Sequence, residues 1–394
     1  MQTYTSLITS LFSTHSSLGK AQAWDLFSHM RYVAHPEPDA PLYTLMIRAC
    51  ASPISSSHSS DALRALDLWT EMTVDHRLPP SLGAYNAIIL ACARSGSKTY
   101  VNEAFRLAKQ MLDTHRDAQG TSAFRPDRKT FCALLEGAKR LGDLARARWI
   151  LAEMVNGCNR NKSDVNGDVD EEVMMHVFHA YAAYRPPFRR AATLLVNQQA
   201  DASPSRQKHK ISPTSDSEMS TTKDEGQTAH VSPLEATPTF SHIPPQDRSE
   251  VIREVKSLFS RILDDISLDP GGGRDMNDTL VNAKKFKNVH LTPRLLNSYL
   301  SIYYKHSSLE TSRELFWGLF DEHGIPRTSR TYVEALQRCA NTKRGHEREF
   351  ALSFAEEIWA KWQALEDVGQ EDGRVLSGRV IEKAHIAFIR VLTL

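Results

Sequence analysis

The sequence predicts an all-α fold, an α-solenoid of stacked helix–turn–helix units, on three observations. An aromatic residue heading a short apolar run returns every 39 to 46 residues, at Tyr4, Tyr43, Tyr85 and Phe131. Behind each comes a second apolar pattern of helical period. A turn rich in proline and acid closes the unit.

The first pattern reads Tyr4-Thr5-Ser6-Leu7-Ile8, Tyr43-Thr44-Leu45-Met46-Ile47, Tyr85-Asn86-Ala87-Ile88-Ile89 and Phe131-Cys132-Ala133-Leu134-Leu135, with a later copy at Tyr332-Val333-Glu334-Ala335-Leu336. The second is anchored on Met30, Met72, Met111 and Met154. Seven residues before each stands Ala23, Ala65, Ala104 or Ala147, and four before stands Leu26, Leu68, Leu107 or Ile150. Offsets of three, four and seven share one helical face. A repeated Ala predicts a close helix–helix approach that a larger side chain would block. The frame returns at Ala355, Ile358, Trp359 and Trp362, and more weakly at Leu315, Phe316 and Leu319.

Pro36-Glu37-Pro38-Asp39, Pro79-Pro80-Ser81 and Arg125-Pro126-Asp127 are the turns. Proline stops one helix, and Asp or Ser caps the next. Cys50, Cys92 and Cys339 each lie seven residues after the aromatic, so they read as small buried residues between helices. Tyr181 and Tyr303 fill the same place in degenerate copies. Five cysteines without a CxxC pair give neither a zinc nor a disulfide framework.

The units are expected at 1–39, 40–81, 82–127 and 128–170, with the first part of a degenerate fifth at 171–196. A disordered linker is expected over 197–248, because its Ser, Thr, Pro, Gln and mixed charge cannot bury enough surface to offset the ordering entropy. An amphipathic helix over 249–265, with Val251, Val255, Leu258, Phe259 and Ile262 on one face, reads as the displaced second helix of the fifth unit. A loop over 266–290, a sixth unit at 291–327 and a seventh at 328–367 follow. Residues 379–394 read as the first helix of a unit whose partner is missing, so a longer array, truncated at both ends, is expected.

No apolar stretch approaches the roughly 18–20 residues a membrane span needs. The formal net charge is +1, so any contact with nucleic acid must rest on local arrangement. Gly271–Arg274 lacks the Gly-Lys-Ser/Thr of a phosphate loop. His176 and His179 share a helix face without a third ligand, and Asp264, Asp265 and Asp269 sit at a helix end. No catalytic residue, metal or cofactor is expected, and the chain reads as a non-enzyme.

The period and motifs resemble the pentatricopeptide repeat family over about 1–185 and 290–394. Thr3-Tyr4-Thr5, Ala84-Tyr85-Asn86 and Thr130-Phe131-Cys132 match the family's unit opening, and Pro38-Asp39 and Pro126-Asp127 its close. The Trp-x-x-Leu-Gly-x-x-Tyr opening of tetratricopeptide repeats is absent. The extra length of these units, at Ser52–Ser60, Thr114–Phe124 and Gly157–Asp168, is similar to fungal mitochondrial members. The resemblance implies a right-handed solenoid, a mitochondrial location, and single-stranded RNA read one base per unit.

The reading residues it implies are the one after the aromatic and the last of the unit. These are Thr5 with Asp39, Thr44 with Ser81, Asn86 with Asp127, Cys132 with Asp170, and Asn297 with Thr328. By the same resemblance Thr with Asp favours guanine and Asn with Asp uracil. Thr5, Asn86, Asp39 and Asp127 also fit plain helix capping. Arg94 and Arg140 lie nine residues after the aromatic and Lys305 fits the same place, a stripe suited to RNA phosphates or a solvated surface. The implied role is processing, maturation or translation of mitochondrial RNA, including small-subunit rRNA processing. A scaffold for protein partners such as the mitoribosome or RNA-processing proteins is the alternative.

Overall fold

A computed structural model describes the chain except residues 1, 15, 35–37, 53–59, 115, 117–119, 121, 161–168, 188–242, 268–284, 343–344, 372–375 and 394. The Gly271–Arg274 loop and residues 197–242 of the expected linker lie outside the described residues. Among those residues there is no strand, only two isolated bridges. The first four units are α1 (Gln2–Ser13) with α2 (Ser17–His29), α3 (Ala40–Cys50) with α4 (Ala62–Thr70), α5 (Leu82–Ala93) with α6 (Lys98–Thr114), and α7 (Arg128–Leu141) with α8 (Leu144–Arg160). Then come α9 (Glu171–Ala183), α10 (Arg248–Ser267), α11 (Pro293–His306), α12 (Leu309–Glu322), α13 (Ser329–Ala340), α14 (His346–Glu371) and α15 (Gly378–Thr393).

Six of the first helices, α3, α5, α7, α9, α11 and α13, start where the turn before them supplies a cap. Asp39, Ser81, Asp127, Asp170 and Thr292 accept a backbone N–H three residues on from their side chains, and Thr328 forms a capping box with Thr331. Each such cap is worth about 1 kcal/mol. The second helices of the first two units end differently from the sequence expectation. Met30–Ala34 and Glu71–Asp75 continue as single π-helical segments, a widening that the 3.6-residue period does not reveal.

The array holds together by packing first helix on first helix. α3 lies against α5, α5 against α7, α7 against α9, α9 against α11, and α13 against α15. Second helices lean mainly on their own partners, so the first helices form the tighter inner layer. Ala23, Ala65, Ala104, Ala147 and Ala355 are all fully buried, as are Met30, Met72 and Met111. Aromatics bridge successive units, with Trp69 and Tyr85 at 5.0 Å between ring centres and Phe178 and Tyr299 at 5.6 Å. The Tyr43 hydroxyl donates to Glu71 at 2.6 Å, and Arg31 donates to the same carboxylate, which ties the first unit to the second.

α10 occupies the place beside α9 that a second helix would take, packed against α9 and α11. Val251, Val255, Leu258, Phe259 and Ile262 are its buried face, and Phe259 stacks on Tyr299 at 4.2 Å. A buried polar cluster fixes its register. Tyr181 donates to Glu254 at 2.6 Å, and Arg148 lies 3.0 Å from the same carboxylate. The segment leading into α10 is pinned as well, by Tyr184 on the Pro245 carbonyl at 2.9 Å and Arg148 on the Ile243 carbonyl at 3.2 Å. Asp265, which the sequence places in a solvated helix end, instead accepts the backbone N–H groups of Lys285 and Phe286, both at 3.0 Å.

Candidate nucleic-acid interface

The expected reading residues sit at the N-terminal ends of the inner helices. The terminal member of each pair is the N-cap of the next unit's first helix, and the other member lies in the first or second turn of its own first helix.

The third unit shows how these positions meet. Asn86 on α5 donates from Nδ2 to Asp127 Oδ1 at 3.0 Å, across 41 residues of sequence. Asp127 Oδ1 also receives the Thr130 backbone N–H at 2.8 Å and the Thr130 hydroxyl at 2.9 Å. Thr130 bonds to Asn86 Oδ1 at 2.6 Å as well. The N-cap and the residue after the aromatic thus flank one spot, and both are half-buried. Plain capping accounts for Asp127 but not for Asn86.

The other pairs are arranged more loosely. Thr44 is half-buried and gives its hydroxyl to the Ala40 carbonyl at 2.8 Å, while Ser81 is exposed and caps α5. Asp39 caps α3 through Leu42, and Thr5 is half-buried on α1. Cys132 is half-buried, and burial pushes its thiol up to about 12, so it presents a neutral S–H. Asp170 caps α9 and pairs with Arg128 at 2.5 Å. The sixth unit departs from the expectation. Asn297 is only 4 % exposed, because α11 is enclosed and every residue from Leu295 to Leu300 is buried. Thr328 remains half-buried at the start of α13.

Of the basic residues, Arg94 reaches the Ala51 carbonyl at 3.4 Å, and Arg140 is held by Glu136 at 2.8 Å. Lys305 is exposed near the end of α11. These three lie at the opposite ends of the inner helices from the caps, about 20 Å along the axis at 1.5 Å per residue. Arg140 and Lys305 line a common cleft, which Arg94 does not join.

A cluster around Glu136 that the sequence does not bring together lies midway along α7 and α9. Glu136 is buried and faces Lys139, Arg140 and His176. Burial pushes its carboxyl up, but the Lys139 ammonium, the hydrogen bonds from Lys139 and Arg140, and His176 outweigh it and bring it down to about 2. His176 and His179 are lowered to about 4, by burial first and by Lys139 next. Ligand atoms of Cys132, Glu172 and His176 lie within 4.8 Å of one another, a loose metal-like trio. Lys139 Nζ stands 3.4 Å from His176 Nδ1, and Arg128 pairs with Glu172 at 2.5 Å, so positive charge already fills the neighbourhood a cation would need.

No family model matches the chain, and no curated protein matches it either. Among solved structures, the chain is similar to the pentatricopeptide repeat protein PPR10 from maize, at 16% identity over 99% of this chain and with a TM-score of 0.30. PPR10 in complex with an 18-nt psaJ RNA element matches at 14% identity over 98%, again with a TM-score of 0.30. The chain spans about half the length of these structures, 52% of each.

Proposed function

We propose that this chain binds single-stranded RNA sequence-selectively along the inner layer of its helix pairs. It reads bases with the N-cap residue of one unit and the residue after the aromatic of the unit before. The observation that carries the reading is the convergence of Asn86 and Asp127 on one spot, 3.0 Å apart though 41 residues separate them. Asn offers both a donor and an acceptor, and a carboxylate accepts from ring N–H groups, which is the chemistry a Watson–Crick edge requires. Asp127 Oδ1 is occupied within the chain, and Oδ2 takes none of these bonds among the described residues, so it is the acceptor available to a base.

The proposal extends to place and role by the motif resemblance: a mitochondrial protein acting in RNA processing, maturation or translation, with small-subunit rRNA processing as the specific task. RNA is the partner, and the mitoribosome or RNA-processing proteins are the further ones. The extra length at Ser52–Ser60, Thr114–Phe124 and Gly157–Asp168 supports this assignment.

Capture of the full chain from mitochondria with sequencing of bound RNA tests it. A shared short sequence in the captured RNA, with affinity that falls as salt rises, is the expected result. Recovery of protein partners without RNA would overturn base reading and leave the scaffold role.

A further inference from the structure

Four cationic side chains from separate stretches of the chain line one cleft of about 910 Å³. Arg140 comes from the end of α7, Arg185 follows α9, Arg248 opens α10, and Lys305 stands at the end of α11. Among the described residues no carboxylate lines the cleft. Glu136 engages Arg140, but Arg185, Arg248 and Lys305 make no ion pair among the described residues. Like charges gathered in this way repel one another, and an anion relieves the repulsion.

The walls are built rather than incidental. Gly142 closes α7 with φ of 67°, and a Cβ there would meet the Ala183 carbonyl oxygen at 2.8 Å, so the ends of α7 and α9 approach as only glycine permits. The Tyr181–Glu254–Arg148 cluster sets the start of α10, and with it Arg248. His306 is only 8 % exposed and bonds through Nε2 to the Tyr181 carbonyl at 2.9 Å, while its Nδ1 has no partner. Burial holds this imidazole low, the Tyr181 carbonyl pulls it up, and the charges acting on it are those of Arg248 and Lys305.

We propose that this cleft holds the terminal phosphomonoester of a bound nucleic-acid strand. This rests on the RNA-binding reading above and deepens it. An internal phosphodiester carries one charge, and the repeat cadence supplies at most one basic residue per unit for it, at Arg94, Arg140 and Lys305. Here two units and the two flanks of the 188–242 segment deliver four cations to one place. A terminal phosphate ionises a second time near pH 6 and carries close to two charges at neutral pH, with three acceptor oxygens. The cleft is also roomy enough for a nucleotide-sized group, since ligand pockets run from about 300 to 1,000 Å³.

The test compares the full chain's affinity for one pool of the short RNA fragments it captures, prepared to end in a 5′-phosphate, a 3′-phosphate or hydroxyls only. One phosphorylated form should bind roughly tenfold more tightly than the hydroxyl-ended pool, and which one identifies the end. The Arg185→Ala, Arg248→Ala double variant, altered at two exposed positions, should lose that gain and keep its affinity for hydroxyl-ended RNA. Equal binding of all three pools overturns the cleft assignment and leaves RNA binding standing, as does a gain that survives in the double variant. Failure of every pool to bind overturns both.

Discussion

Tyr181 and Glu254, 73 residues apart in sequence, share a hydrogen bond of 2.6 Å inside the fifth unit. That contact, with Arg148 at 3.0 Å, makes the array continuous across the 188–242 segment. α9 would otherwise lack the second helix that completes its unit, and a lone repeat element cannot bury its apolar face.

Tyr181→Phe should therefore loosen α10 before anything else. The half-buried Glu254 carboxylate would have one donor fewer, at a cost of about 1 kcal/mol. Chemical denaturation reads the loss, and amide exchange should rise over 248–267. Unchanged exchange there would show that apolar packing alone seats the helix.

Asp127→Asn separates capping from reading. Asn caps a helix about as well as Asp, so stability to denaturation should hold to within about 0.5 kcal/mol. The Oδ2 acceptor becomes a donor, so the base enriched at one position of bound RNA should change. Identical enriched sequences from both proteins would mean that the Asn86–Asp127 contact merely joins two units.

Acid should destabilise the fold in two stages. His176 and His179 have folded values of about 4, below the ordinary 6.5, so the stability they contribute is full above pH 6.5 and drains as pH falls through 4. Glu136, lowered from 4.5 to about 2, contributes above pH 4.5 and is lost toward pH 2. Its share is about 3 kcal/mol at most, on the rule of 1.36 kcal/mol per pH unit. Denaturation of the Glu136→Gln variant at pH 5 and pH 2.5 should show a smaller difference than the parent. An equal difference in both would remove Glu136 as the cause.

Gly142→Ala forces a side chain into the left-handed region and toward the Ala183 carbonyl. A loss of about 1–3 kcal/mol is expected in thermal melting. The neighbouring α7–α9 contact should loosen, and the cleft with it. A neutral result would show that the two helix ends separate freely.

Much of this molecule is set by local chemistry. Ala23, Ala65, Ala104 and Ala147 are equivalent in sequence and are all fully buried, because a 3.6-residue period puts them on the face of closest approach. Asp39, Ser81, Asp127 and Asp170 cap their helices because a short acceptor after a turn satisfies free N–H groups wherever it occurs. Fold class and the line of caps follow from such short-range rules. The position of Asn297 does not, since its exposure depends on α9 and α10 closing over α11. Nor does the meeting of Arg185 and Arg248 with Arg140 and Lys305, since the repeat spacing marks only the latter two. Only tertiary packing brings those charges together, because the Coulomb force acts on distance in space and is blind to distance along the chain.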